Sequence, residues 1–187
     1  MSVFDEATVF LAVADYMAQD SGGKINALGL GFGVSGLQPH GQTGAIFIAA
    51  FVEAPRRFIG ETASITLELR NVTDDEVVTA AGPTGLPEAL RITQLVKFDP
   101  PNAPGIDLGE DFPVRIQVLL GFPIGLPLQA GKTYAWKLRI DERTRPGWQA
   151  RFHVPATPPG PIIGGPAGPA DIPNVTSLAT EEQEAEE

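Results

Sequence analysis

Four stretches of this chain alternate apolar and polar side chains with a period of two. Ala63, Ile65, Leu67 and Leu69 are interleaved with Ser64, Thr66, Glu68 and Arg70, and Val114, Ile116 and Val118 with Arg115 and Gln117. Tyr134, Trp136, Leu138 and Ile140 alternate with Ala135, Lys137 and Arg139, and Trp148, Ala150, Phe152 and Val154 with Gln149, Arg151 and His153. A strand turns successive side chains to opposite faces, so this period implies strands with one buried face. Less regular apolar runs at residues 7–15, 24–32, 45–52 and 90–98 add four strands, and 77–81 a short ninth. Asp20-Ser21-Gly22-Gly23 reads as the turn between the first two. Only residues 15–19 and 87–92 look locally helical, and neither is long enough to hold a helix. The expectation is an all-β fold, an antiparallel sandwich of about eight to nine strands. The 21 glycines and 18 prolines among 187 residues suit a loop-rich β protein.

Composition divides the chain at residue 155. Residues 1–154 carry the strand pattern and form the predicted sandwich domain. Residues 155–187 hold Pro155, Pro158, Pro159, Pro161, Pro166, Pro169 and Pro173, with no Lys or Arg. Their acids, Asp171, Glu181, Glu182, Glu184, Glu186 and Glu187, supply −6 of the net charge of −10. Proline at this density opposes helix and ladder pairing and favours polyproline II, so this segment is either a flexible linker-like end or an extended arm.

The acidic balance argues against nucleic acid, whose phosphates need clustered Lys and Arg. The absence of cysteine removes disulfides, thiolate nucleophiles and cysteine-based metal sites. The start, Met1 to Glu6, lacks the basic region of a signal peptide, and the apolar run at 7–14 is too short to cross a bilayer. No membrane partner is expected.

The chemical motifs resolve into structural roles. Gly31-Phe32-Gly33-Val34-Ser35-Gly36 matches GxGxxG, but Leu37-Gln38-Pro39-His40-Gly41 cannot open the helix that a dinucleotide site requires. The glycines suit a bend or a close backbone approach. His40 and His153 are the only histidines. No serine lies in a nucleophile elbow, and two histidines without cysteine make a poor transition-metal set. Asp74-Asp75-Glu76, Asp107 with Glu110-Asp111, and Asp141-Glu142 read as turn and solubility residues. No catalytic residue, cofactor or metal is expected. Asn71-Val72-Thr73 and Asn174-Val175-Thr176 match the glycosylation sequon without a secretion signal to use it.

Leu11-Ala12-Val13-Ala14-Asp15-Tyr16, followed by Gly23-Lys24-Ile25-Asn26-Ala27-Leu28-Gly29-Leu30-Gly31-Phe32, resembles the opening of an uncharacterised family of small bacterial and phage β-sandwich proteins. Gly131-Lys132-Thr133-Tyr134, with Trp136, Leu138, Ile140 and Asp141, resembles that family's penultimate strand. Members often carry Trp in place of Phe32 and Gly in place of Glu142. The resemblance covers about a quarter of the chain and implies the sandwich fold, but no activity.

Gly121-Phe122-Pro123-Ile124-Gly125-Leu126-Pro127-Leu128 is an apolar loop whose glycines and prolines forbid regular structure. It reads either as a flap over the end of the sandwich or as a contact surface, with Phe122, Ile124 and Leu126 as partner-binding residues. Residues 97–113 form a second long loop. In the arm, Ile162, Ile163, Ile172, Val175 and Leu178 are spaced like anchors, which a purely solvating tail would not need. The functional expectation is a non-enzymatic virion component, such as a head decoration or minor capsid protein. It would be made in the host cytoplasm, and its partners would be capsid or tail subunits or further copies of itself. The competing expectation is a cytoplasmic module binding a small molecule or carbohydrate, for which Tyr134, Trp136 and Trp148 would be the stacking residues, although their alternation places them on the buried face as core residues.

Overall fold

The computed structural model describes residues 2–82, 84–101, 108–109 and 111–156. A helical turn, α1 (Val3–Glu6), precedes β1 (Thr8–Ala14), β2 (Tyr16–Gln19), β3 (Ile25–Leu28) and β4 (Ile46–Ala54). After a 3-10 turn at Arg56–Phe58 come β5 (Thr62–Asn71), β6 (Thr79–Ala81), β7 (Pro87–Ala89) and β8 (Arg91–Lys97). β9 (Val114–Phe122), β10 (Lys132–Ile140) and β11 (Gln149–Val154) complete the body. All ladders between these strands are antiparallel.

Two sheets face each other, in the orders β1-β4-β9 and β11-β10-β5-β8. Their inner rows are those the alternation predicts. Ile65, Leu67 and Leu69 lie opposite Ile140, Leu138 and Trp136. Ile46, Ile48, Ala50 and Val52 of β4 meet them in one buried cluster. Trp136 is wholly buried, and its ring lies 5.6 Å from that of Phe122 in the other sheet. Trp148, Tyr134 and Phe152 belong to the same core.

The outer face of the three-stranded sheet is also apolar. β1 and β4 are nearly continuous apolar runs, which is what strands covered on both sides look like. The β2–β3 hairpin lies over this face. Met17 is buried with Ala12, Ala14 and Ala49, whose small side chains admit the hairpin closely. Phe47 lies across Gly121, where a Cβ would meet the ring.

Both segments read as locally helical are strands. Residues 16–19 form β2 because the Asp20 turn returns the chain as β3, with Gly22 and Lys24 donating their N–H groups to the Asp20 carboxylate at 2.9 Å. Residues 87–89 form β7 against β6, and Arg91 opens β8. Pro87 is the first residue of its strand, where the missing N–H is tolerated. In both places tertiary pairing overrides weak helical propensity.

The β10 turn carries backbone strain. Ile140 and Arg143 exchange backbone hydrogen bonds, and the two turn residues, Asp141 and Glu142, have φ of 49° and 63°. A two-residue turn of this kind favours Asn-Gly or Asp-Gly. Positive φ costs a side-chain-bearing residue about 1–2 kcal/mol, and glycine forfeits roughly 0.5–1 kcal/mol of chain entropy. Glu142→Gly is therefore expected to stabilise the protein by about 0.5–1 kcal/mol in urea unfolding. A loss of stability would contradict this turn geometry.

Candidate functional site

The segment expected as an irregular loop at 121–128 begins inside β9, which pairs with β4 through Phe122, and then divides into an exposed turn and a buried return. Phe122 ends β9 and stacks on Trp136, so it is half-buried. The Gly125 N–H donates to the Phe122 carbonyl, closing a tight turn at whose tip Ile124 is 75% exposed. The chain then returns to the core. Leu126 and Leu128 are buried. The Thr43 N–H donates to the Leu126 carbonyl at 3.0 Å, and the Leu126 N–H donates to Thr43 Oγ1 at 2.9 Å. Gly125 has φ of 78°, and a Cβ there would collide with the Thr43 carbonyl. Leu126 is thus a core residue, which corrects its expected role in partner contact: its pairing with Thr43 carries it inward. Ile124 alone of the three is presented to solvent. Ile162, Ile163, Ile172, Val175 and Leu178 lie outside the described residues, as do Asp107, Glu110 and the second sequon.

Further apolar groups are exposed that the period-two reading missed. Phe10 is 59% exposed beside Phe51, their ring centroids 5.9 Å apart, at the rim of the β2–β3 hairpin. Tyr16 and Leu28 are paired across that hairpin and are both exposed. The nearly continuous apolar character of β1 and β4 was the available signal for this second covered face.

The outer face of the four-stranded sheet is polar and centred on Glu68. Its side chain is fully buried, yet it belongs to the polar row of β5. Arg70 Nη1 donates to it at 2.8 Å, Arg91 Nη2 at 2.7 Å and Arg139 Nη2 at 2.9 Å. Burial works against the charge, but the hydrogen bonds from Arg70, Arg139 and Arg91 outweigh it and hold the carboxyl below its usual range. Asp75 is bound by Lys137 and Arg70. Its carboxyl is also lowered, chiefly by the Lys137 hydrogen bond. Asp74 accepts from Asn71 Nδ2, and Thr73 N–H donates to Asn71 Oδ1, so the acidic 74–76 run is an organised turn.

The other chemical motifs take structural positions. Gly33 and Ser35 exchange backbone hydrogen bonds with His153, laying the GxGxxG segment along β11 as an edge cover. His153 Nδ1 lies 3.0 Å from Thr133 Oγ1, and His40 is exposed on its loop. Among the described residues, no three His, Cys, Asp or Glu side chains are grouped to hold a metal ion. No helix among them is long and apolar enough to cross a membrane. Comparison with protein-family models, curated proteins and solved structures gives no match.

Removing the buried carboxylate would leave three guanidinium groups facing one another. Glu68→Gln is expected to cost about 2–4 kcal/mol, below a fully buried pair because the arginines reach water. The lowered carboxyl gives stability that is complete above the ordinary glutamate range and is lost as pH falls through the folded-state value. Unfolding midpoints of the wild type should therefore drop on acidification below that range, and those of Glu68→Gln should drop less. Equal acid sensitivity in the two proteins would refute this assignment.

Proposed function

We propose that the protein is a non-enzymatic structural component of a larger protein assembly. The favoured setting is a phage particle, with the protein as a head decoration or minor capsid subunit. The observation that carries the reading is Ile124. It is an exposed apolar side chain on a turn held to the core by Gly125, Thr43 and Leu126. A contact residue mounted this rigidly loses little further entropy when a partner covers it. Phe10 adds a second exposed apolar group on a firm β surface. The composition of residues 155–187, with apolar residues spaced among prolines, supports the same reading. So does the resemblance to small phage and bacterial β-sandwich proteins.

The carbohydrate-binding alternative needs exposed aromatic rings. Tyr134, Trp136 and Trp148 are 3%, 0% and 6% exposed and are spent on the interior.

Quantitative mass spectrometry of purified particles should find the protein at a fixed ratio to the major capsid subunit. Deletion of residues 155–187, or Ile124→Asp, should lower that ratio severalfold without changing the melting temperature of the isolated body. Recovery of the wild type only outside particles would contradict the assembly reading.

A further inference from the structure

Among the described residues, strand β8 is an open edge of the four-stranded sheet: it pairs there with β5 alone, and six of its seven residues are exposed. Two flanking backbone bonds establish which of its groups face outward. The Phe98 N–H donates to the Glu61 carbonyl at 3.0 Å, and the Leu69 N–H donates to the Leu90 carbonyl at 2.9 Å. In an antiparallel ladder, pairs joined by backbone hydrogen bonds alternate with pairs that are not. Leu90 and Phe98 both face β5, so Ile92, Gln94 and Val96 between them do also. The N–H and C=O groups of Arg91, Thr93, Leu95 and Lys97 then point away from the sheet. The 2.9 Å contact between the Thr66 and Thr93 hydroxyls fits the closer side-chain approach of a non-bonded pair. None of these four outward residues has a backbone hydrogen bond to a loop among the described residues.

Side chains add two restrictions on what could cover this edge. Leu95 is 78% exposed on the outer face, and Ile92 is 36% exposed on the opposite face. An object resting on one face would reach only one of them, whereas a strand added along the edge would reach both. The second restriction is charge. β8 has Arg91 and Lys97 at its ends and no acid. Among the described residues, the cations Arg70, Lys137 and Arg139 behind Arg91 share the carboxylates of Glu68 and Asp75. Antiparallel pairing with a second copy, centred on Gln94, would set Arg91 of one against Lys97 of the other. Like charges directly opposed in a sheet are destabilising.

We propose that β8 accepts an extended strand from another protein, one with acidic residues opposite Arg91 and Lys97 and apolar β-branched residues between them. This surface is separate from the Ile124 turn, and the proposal does not depend on the protein belonging to a phage particle.

The test uses the full chain and two labelled, terminally blocked heptapeptides. Both alternate Val and Thr through the middle; one ends in Glu on both sides, the other in Lys. Fluorescence anisotropy should show saturable binding of the Glu-ended peptide, at least tenfold tighter than the Lys-ended one. Amide hydrogen exchange should slow at Thr93 and Leu95 on binding, with Ile92 and Gln94 already slow in the free protein. Leu95→Pro removes an outward N–H without touching the β5 ladder and should weaken binding at least tenfold. Lys97→Glu, at an exposed position, should narrow or reverse the peptide preference even if the proline variant fails to fold. Absence of binding by either peptide would overturn the proposal and leave Arg91 and Lys97 as guards against edge pairing. Equal binding of both peptides would overturn the acidic specificity. Concentration-dependent dimerisation through β8 would overturn the choice of partner.

Discussion

Trp136 and Phe122 stack across the space between the two sheets, and much of the molecular surface is positioned by the packing around them. The inner row of β10 meets that of β4 through Ile46, Ile48, Ala50 and Val52, all essentially without solvent exposure. Dense interiors transmit position, because side chains there have few alternative arrangements. Phe122 ends β9, so this contact places the start of the loop that carries Ile124. Leu126 and Leu128 place its return. A flexible apolar loop is thereby turned into a firm mount for one exposed side chain.

The opposite face of the four-stranded sheet is ordered by charge. Glu68 gathers guanidinium groups from β5, β8 and β10 and thus connects three neighbouring strands at one level. Its net energetic value is smaller than the number of bonds suggests, because desolvation of the carboxylate offsets much of their attraction. Its structural effect is to hold Arg91, and with it the start of β8, against the sheet. The edge beyond β8 keeps its outward backbone groups and exposed side chains. The opposite edge, β11, is covered by the Gly33–Ser35 segment. Among the described residues, β8 is thus the edge of this sheet that is left open.

The inner faces of β5, β9, β10 and β11 were legible in the sequence because one face of each is buried and the other solvated. The alternation of Tyr134, Trp136, Leu138 and Ile140 is the direct imprint of that asymmetry. β2 was not legible. Its four residues become a strand through β3 and through the small side chains of Ala12, Ala14 and Ala49, which lie elsewhere in the chain. β7 likewise depends on β6. Glu68 sits on a polar row, and nothing local announces that three distant arginines will enclose it. The apolar loop was legible as a feature but ambiguous in role, since only the Thr43 contacts decide that Leu126 turns inward while Ile124 turns out.

On the proposed function, this sandwich acts through exposed surfaces that other subunits cover. Hydroxyl-radical footprinting of the protein, free and within purified particles, tests it most directly. Ile124 and Phe10 should be oxidised in the free protein and protected in particles, while Trp136 should stay protected in both. Equal oxidation of Ile124 and Phe10 in the two states would contradict the account.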